Sequence, residues 1–277
     1  MSDQHSHTGQ TWRLEHDSLG DVRVPADRYW GAQTERARHR FQIGNDPIPL
    51  ELIHAIACLK RMAAHTNHQL GVLDEQRCQW ISEAAREVEG GKLDGEFPLS
   101  CWQSGSGTQT NMNVNEVIAN RACELAGQAR GSRDVVHPND HVNRSQSTND
   151  VFPCAIHLAA ERQQRQALLP ALHQLVEALE SKAAAWDGVV KIGRTHLQDA
   201  VPLTVGQEVG GWAAQLRSAG ERLEQGLLEL RSIPLGGTAV GTGIGAPKGY
   251  PQAVCEQLSS CEGVEWRSDG NRFALMG

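Results

Sequence analysis

The chain has 277 residues, 39% of them hydrophobic, enough apolar material to bury a core in one large or two ordinary domains. Its 33 acidic side chains outnumber 26 basic ones, and the formal charge of -7 argues against a surface built for nucleic acid or an anionic membrane. Seven cysteines (Cys58, Cys78, Cys101, Cys123, Cys154, Cys255 and Cys261) are scattered without a CxxC pair, which suggests neither a disulfide framework nor a zinc knuckle and fits a reducing cytoplasm.

Met1 to Gln10 is polar and His-rich, and no later run reaches the length of a membrane span, so a soluble, unexported protein is expected. Pro25 to Gly31 reads as a loop entering a helix. Between Pro47 and Gly71, Leu52, Ile56, Leu59 and Ala63 recur at helical spacing, and a further helix over Asp74 to Glu89 is ended by Gly90-Gly91. The segment up to Thr110 is turn-rich. Val114, Val117, Ile118, Ala122 and Leu125 then mark one face of a helix over Asn111 to Ala126, closed by Gly127. A polar loop, Gly131 to Asp150, separates the two halves. Beyond it Ala155, Leu158, Leu169, Leu172, Val176, Leu179 and Ala183 form one apolar seam, in a helix that Pro170 is predicted to kink. Val205, Val209, Trp212, Leu216, Ala219, Leu223, Leu227 and Leu230 form a second. Two long helices with narrow stripes make an incomplete bundle, which needs partners from other copies or from further sequence. The pattern predicts a mainly α fold, with a mostly helical domain over residues 1–146 and the start of a long-helix bundle over 147–277.

Chemistry is concentrated in three polar segments, each read as leading into a helix: Gly105 to Asn111, Ser145 to Asp150, and Gly193 to Asp199. Taken singly, each Ser/Gly/Thr/Asn run is most simply a loop. Together they offer hydroxyls, amides and free helix N–H groups without crowding by Lys or Arg, which suits a small dianion held by directed hydrogen bonds. A P-loop is excluded because no Gly-Lys-Ser/Thr ending follows. His196 is the acid–base residue of the set, since an imidazole exchanges protons near neutrality. His137-Pro138-Asn139-Asp140-His141 brings two imidazoles near a carboxylate, but Pro138-Asn139-Asp140 is turn chemistry and no metal site is assigned. Gly241 to Ala246 matches a dinucleotide fingerprint in form only, because no strand–turn–helix unit surrounds it. His54, His65 and His68 are expected to face solvent.

Val24 to Asp27, Trp30 to Thr34, Trp102 to Asn113, His137 to Asp140, Ser145 to Asp150 and Gly193 to Ala200 resemble class II fumarases of the fumarase/aspartase superfamily, in order and spacing. Gly105-Ser106-Gly107-Thr108 and a histidine at 196 look like fumarase and unlike aspartase. The resemblance implies reversible hydration of fumarate to L-malate by a helical homotetramer with each site built from three chains. It requires no cofactor and no nucleic-acid or membrane partner. It implies that Ser106, Gly107, Thr108, Ser147, Thr148, Asn149 and Thr195 surround the substrate carboxylates and that His196 acts catalytically. It further assigns His137, Pro138, Asn139 and Asp140 to a secondary dicarboxylate site. The family's Gly-Ser-Ser-x-Met-Pro-x-Lys-x-Asn-Pro loop, whose serine is taken to abstract the carbon-bound proton, is not in this sequence. The resemblance is therefore to the front portion of such an enzyme, and the isolated chain is expected to show little activity. The alternative is a non-catalytic helical fragment that binds dicarboxylates or associates with full-length subunits.

Overall fold

The computed structural model describes residues 11–268 and 270–276; the expectation for Met1 to Gln10 lies outside them. The predicted mainly α architecture is present, in two compact units. The first holds residues up to Ala159 together with Ser232 onward, and the second holds Ala160–Arg231. This differs from the expected division at 146/147. Residues after 231 return to the first unit because Ile233, Leu235, Tyr250, Val254 and Leu258 are buried in the same apolar cluster as Ile53, Ile56 and Leu59.

In the first unit an antiparallel hairpin, β1 (Trp12–Asp17) and β2 (Gly20–Pro25), precedes α1 (Ala32–Arg40), α2 (Leu50–Gln69), α3 (Glu75–Glu89) and α4 (Thr108–Leu125). The hairpin was not foreseen. The helix α2 runs free of Gly and Pro and packs against α3, α4 and the later α8 (Tyr250–Glu262). These contacting neighbours explain why it is buried on most sides, Lys60 included, rather than along one stripe. Of the histidines expected in solvent only His68 is exposed; His54 bonds Asp94 at 2.8 Å, and His65 contacts Ser82 Oγ at 3.3 Å.

The α4 helix buries polar as well as apolar residues. Glu116 is 2% exposed and accepts from Gly31 N (2.9 Å), Gln33 N (2.8 Å), Thr34 N (3.1 Å) and Thr34 Oγ1 (2.6 Å). Its carboxylate thus caps α1 from outside, satisfying the helix's free donors at the positive end of its dipole. A Cβ at 31 would stand 2.8 Å from the Glu15 carboxylate and 2.9 Å from that of Glu116, so a side chain there would displace them.

At the far end of α4, Glu124 accepts from Tyr29 Oη, Arg121 and Arg130. Against the upward pull of partial burial, these donors bring its carboxyl from 4.5 down to about 2. A depressed carboxyl stabilises the fold above its unfolded value and loses that contribution as pH falls through the folded one. Glu124→Gln is therefore expected to lower stability most above pH 4.5 and to flatten its fall between pH 4.5 and about 2, where the parent loses the same contribution. Circular dichroism followed over that range checks it, and an unchanged acid limb would refute the assignment.

The α5 helix (Thr148–Gln163) runs from the first unit into the second, where it continues through one π-helical turn, Gln164–Leu168, into α6 (Leu169–Ala185). The predicted disturbance at Pro170 takes the form of this widened turn. It leaves Pro170 in the first turn of α6, where a missing N–H costs little. A second hairpin, β3 (Val190–Thr195) and β4 (Gln198–Thr204), leads to α7 (Val205–Leu230), whose start is fixed by a capping box between Thr204 and Gln207. The α6 and α7 helices pack together, burying Leu169, Val176, Val209, Ala213 and Leu227. Trp212 of the predicted α7 seam stays 50% exposed, as do Leu175 (49%) and Leu228 (58%). No helix among the described residues is long and apolar enough to cross a membrane.

Candidate active site

Gly107, in a left-handed conformation at φ 73°, turns the chain into α4, which begins three residues before the predicted Asn111. A side chain there would meet the Phe152 ring of α5 at 2.5 Å, so this glycine also lets the starts of α4 and α5 approach. On either side of it Ser106 and Thr108 are exposed, with hydroxyls 3.0 Å apart. Asn111, one turn into α4, donates from Nδ2 to Thr148 Oγ1 at 3.0 Å and to Asn143 Oδ1 at 3.3 Å. The hydroxyl of Ser147 accepts from Asn149 N at 3.3 Å, and exposed Asn149 donates from Nδ2 to the carbonyl of Ala239 at 2.8 Å. Two of the three polar segments are therefore joined in the first unit, at the heads of α4 and α5.

A buried charged layer behind them escaped the sequence reading. Asp150, fully buried, accepts from Ser147 N (2.8 Å) at one oxygen and from Gly236 N (3.0 Å) and Thr238 N (2.9 Å) at the other. Burial pushes its carboxyl up to about 6 despite those donors and the nearby Lys60. Lys60 of α2 is itself fully buried and donates to Asn143 Oδ1 (2.8 Å) and Gln146 Oε1 (3.0 Å), and desolvation lowers its ammonium to about 7. A lysine inside the apolar run Ala55 to Ala64, and the alternating Asn111, Asn113 and Asn115 in a helix, were the available signals.

The third segment corrects the expectation. Thr195 and His196 do not stand at the head of a helix: Thr195 pairs with Gln198, and His196 and Leu197 form the two-residue tip of the β3–β4 hairpin. Both tip residues have positive φ, 48° and 63°, as a primed hairpin turn demands, and His196 is exposed. Leucine rarely adopts this region, and Leu197 is also 93% exposed. Held strain of this kind is frequent at functional loops.

His137 to Asp140 lies in one π-helical turn, Pro138–Val142, where the expectation was a simple turn. His137 Nδ1 accepts from Asn139 N (3.3 Å) and Asp140 N (3.2 Å), while His137 N donates to His141 Nδ1 at 2.8 Å. Burial lowers both imidazoles, so this turn offers neutral rings that already serve its backbone.

Comparison with known proteins decides the family. A family model described as Lyase matches residues 20–276. The chain belongs to this lyase family. The lyase chain is 54% identical over 264 residues to the class II fumarate hydratase of Thermosynechococcus vestitus, a match covering 95% of this chain and 56% of that protein. Its identity to the class II fumarate hydratase of Prochlorococcus marinus is also 54%, over 95% of this chain and 57% of the relative. A crystal structure of class II fumarase from Schistosoma mansoni superposes with a TM-score of 0.92 at 42% identity, covering 96% of this chain and 59% of the other. The lyase chain thus spans a little over half the length of these relatives.

Proposed function

We propose that this lyase chain is part of a class II fumarate hydratase, adding water to fumarate to give L-malate in the tricarboxylic acid cycle. The observation that carries the proposal is the cluster of neutral donors at the starts of α4 and α5, in a chain 54% identical to proteins of that name. Ser106, Gly107, Thr108, Ser147, Thr148, Asn149 and Thr195 would hold the two carboxylates, and His196 would exchange the proton of the added water. Hydration across the double bond places developing negative charge on the carboxylate beside the carbon to be protonated, and fixed hydroxyl, amide and helix N–H donors stabilise that charge as it grows. The group that handles the carbon-bound proton lies, by the resemblance, on a loop outside residues 1–277. A homotetramer is what the resemblance implies, and the exposed apolar residues of α6 and α7 support association between copies; a cytoplasmic setting is supported by seven scattered cysteines without a CxxC pair. A secondary dicarboxylate contact at His137, Pro138, Asn139 and Asp140 rests on the resemblance.

The test is fumarate hydration followed by ultraviolet absorbance. The chain would be assayed alone and after co-expression with the segment of the T. vestitus relative that lies outside the match. Turnover is expected in the co-expressed assembly, with little in the chain alone. A soluble, helical co-assembly that neither hydrates fumarate nor binds it would overturn the proposal.

A further inference from the structure

Where α2 packs against α8, two cysteines meet. Cys58 in α2 is fully buried, and Cys261 in the last turn of α8 is exposed. Their sulfurs and a carboxylate oxygen of Glu262 lie within 4.8 Å of one another. Arg61, one turn along α2 from Cys58, donates from Nη2 to Cys261 Sγ at 3.3 Å. Its guanidinium is held in place by Glu89 of α3, at 2.8 Å from Nη2 and 3.1 Å from Nε. The thiolate of Cys261 therefore has a neighbouring thiol, a fixed cation and access to solvent, the three conditions under which a cysteine becomes a nucleophile. The hydrogen bond with Cys58, opposed by partial burial and aided by Arg61, lowers Cys261 to about 6, with Glu262 pulling the other way. Burial instead raises Cys78 and Cys154.

The same donor atoms resemble half of a soft-metal site, but a divalent ion there would sit beside the Arg61 guanidinium with three protein ligands at most. The cation favours an anionic sulfur over a second cation.

We propose that Cys58 and Cys261 form a redox-active dithiol, in which Cys261 reacts with a hydroperoxide and Cys58 resolves the product into a disulfide joining α2 to α8. In the first step the Cys261 thiolate attacks one oxygen of hydrogen peroxide. The S–O bond forms, the O–O bond breaks, and the departing hydroxide takes a proton to leave as water. In the second step Cys58 gives up its proton and attacks Cys261 Sγ. The S–S bond forms and the S–O bond breaks, and the sulfenic oxygen leaves as a second water. Two thiols lose two electrons in all, and one peroxide gains them. The sulfurs, which lie within 4.8 Å of each other, must close to about 2.05 Å.

The experiment treats the reduced chain with equimolar hydrogen peroxide, blocks remaining thiols with N-ethylmaleimide, and maps the digest without reductant by mass spectrometry. The expected product is a Cys58–Cys261 linked peptide that dithiothreitol reverses, with Cys101, the other exposed cysteine, still alkylated. At about pH 6.5, iodoacetamide should modify Cys261 on the order of ten times faster than Cys101. Cys58→Ser should stop the reaction at a Cys261 sulfenic acid that dimedone captures, and Arg61→Gln should slow it. Equal oxidation of Cys101 and Cys261, or oxidised Cys261 in the unmodified sequence without the linked peptide, overturns the proposal. Stoichiometric zinc that survives dialysis and protects both thiols overturns it in favour of a metal site.

Discussion

His196→Asn is expected to lower kcat/KM for fumarate hydration in the assembled enzyme by about two to four orders of magnitude, the range of a lost acid–base group. The choice of asparagine rests on backbone geometry. His196 sits at φ 48° in a two-residue hairpin turn, where asparagine is among the few residues at ease. The substitution therefore removes the imidazole while relaxing the tip that carries it, and hydrogen-exchange protection of β3 and β4 should be unchanged or higher. Stopped assays across pH separate the possible outcomes. Loss of turnover with an intact hairpin supports a proton-transfer role, whereas turnover within a factor of about three of the parent, less than any positioned acid–base group contributes, removes His196 from the mechanism.

Asp150→Ala is expected to destabilise the chain by about 3–5 kcal/mol, the cost of stranding a buried charge and its hydrogen-bond partners. Ser147 N, Gly236 N and Thr238 N would lose their acceptor, and the buried Lys60 ammonium its nearby carboxylate. Asp150→Asn keeps one acceptor oxygen but turns an amide N–H₂ towards a donor, so an intermediate loss is expected. Urea unfolding of the three proteins measures the series. If Asp150→Ala unfolds within about 1 kcal/mol of the parent, the ordinary range of a surface substitution, then Asp150 does not tie the head of α5 to the 236–238 loop. The prediction also bears on the candidate site, because Ser147 and Asn149 flank this anchor and Asn149 itself bonds Ala239 in the adjoining segment.

Cys261 near the end of α8 and Glu124 near the end of α4 are not among these donors. They share with Asp150 one physical theme, in which a charged group is held by at least one partner from a distant part of the chain. For Cys261 the partner is Arg61 of α2; for Glu124 the partners are Tyr29, Arg121 and Arg130.

Local pattern was sufficient for most helices. The spacing of Leu52, Ile56, Leu59 and Ala63 announced α2, Asp74 and the Gly90-Gly91 pair bracketed α3, and the seam from Val205 to Leu230 matched α7 from end to end. Helical periodicity and capping are properties of neighbouring residues, so they survive in a one-dimensional reading. The polar segments at Gly105 to Asn111 and Ser145 to Asp150 were legible for the same reason, since glycine and capping side chains mark helix starts locally. The hairpin carrying Thr195 and His196 was misread because His196-Leu197 is not an ordinary turn pair, and its positive φ values persist only under the pairing of β3 with β4.

What the sequence by itself determined was the helical architecture, the resemblance to class II fumarases and the hydroxyl- and amide-rich segments available for a dianion. Tertiary structure alone decided that residues after 231 return to the first unit, that Glu116 caps α1, that Lys60 and Asp150 are buried behind the donors, and that Cys58 meets Cys261. Each of those depends on residues far apart in the chain coming within bonding distance. Burial then fixes their charge and reactivity, because the loss of solvent depends on which elements pack together and cannot be read from any single segment.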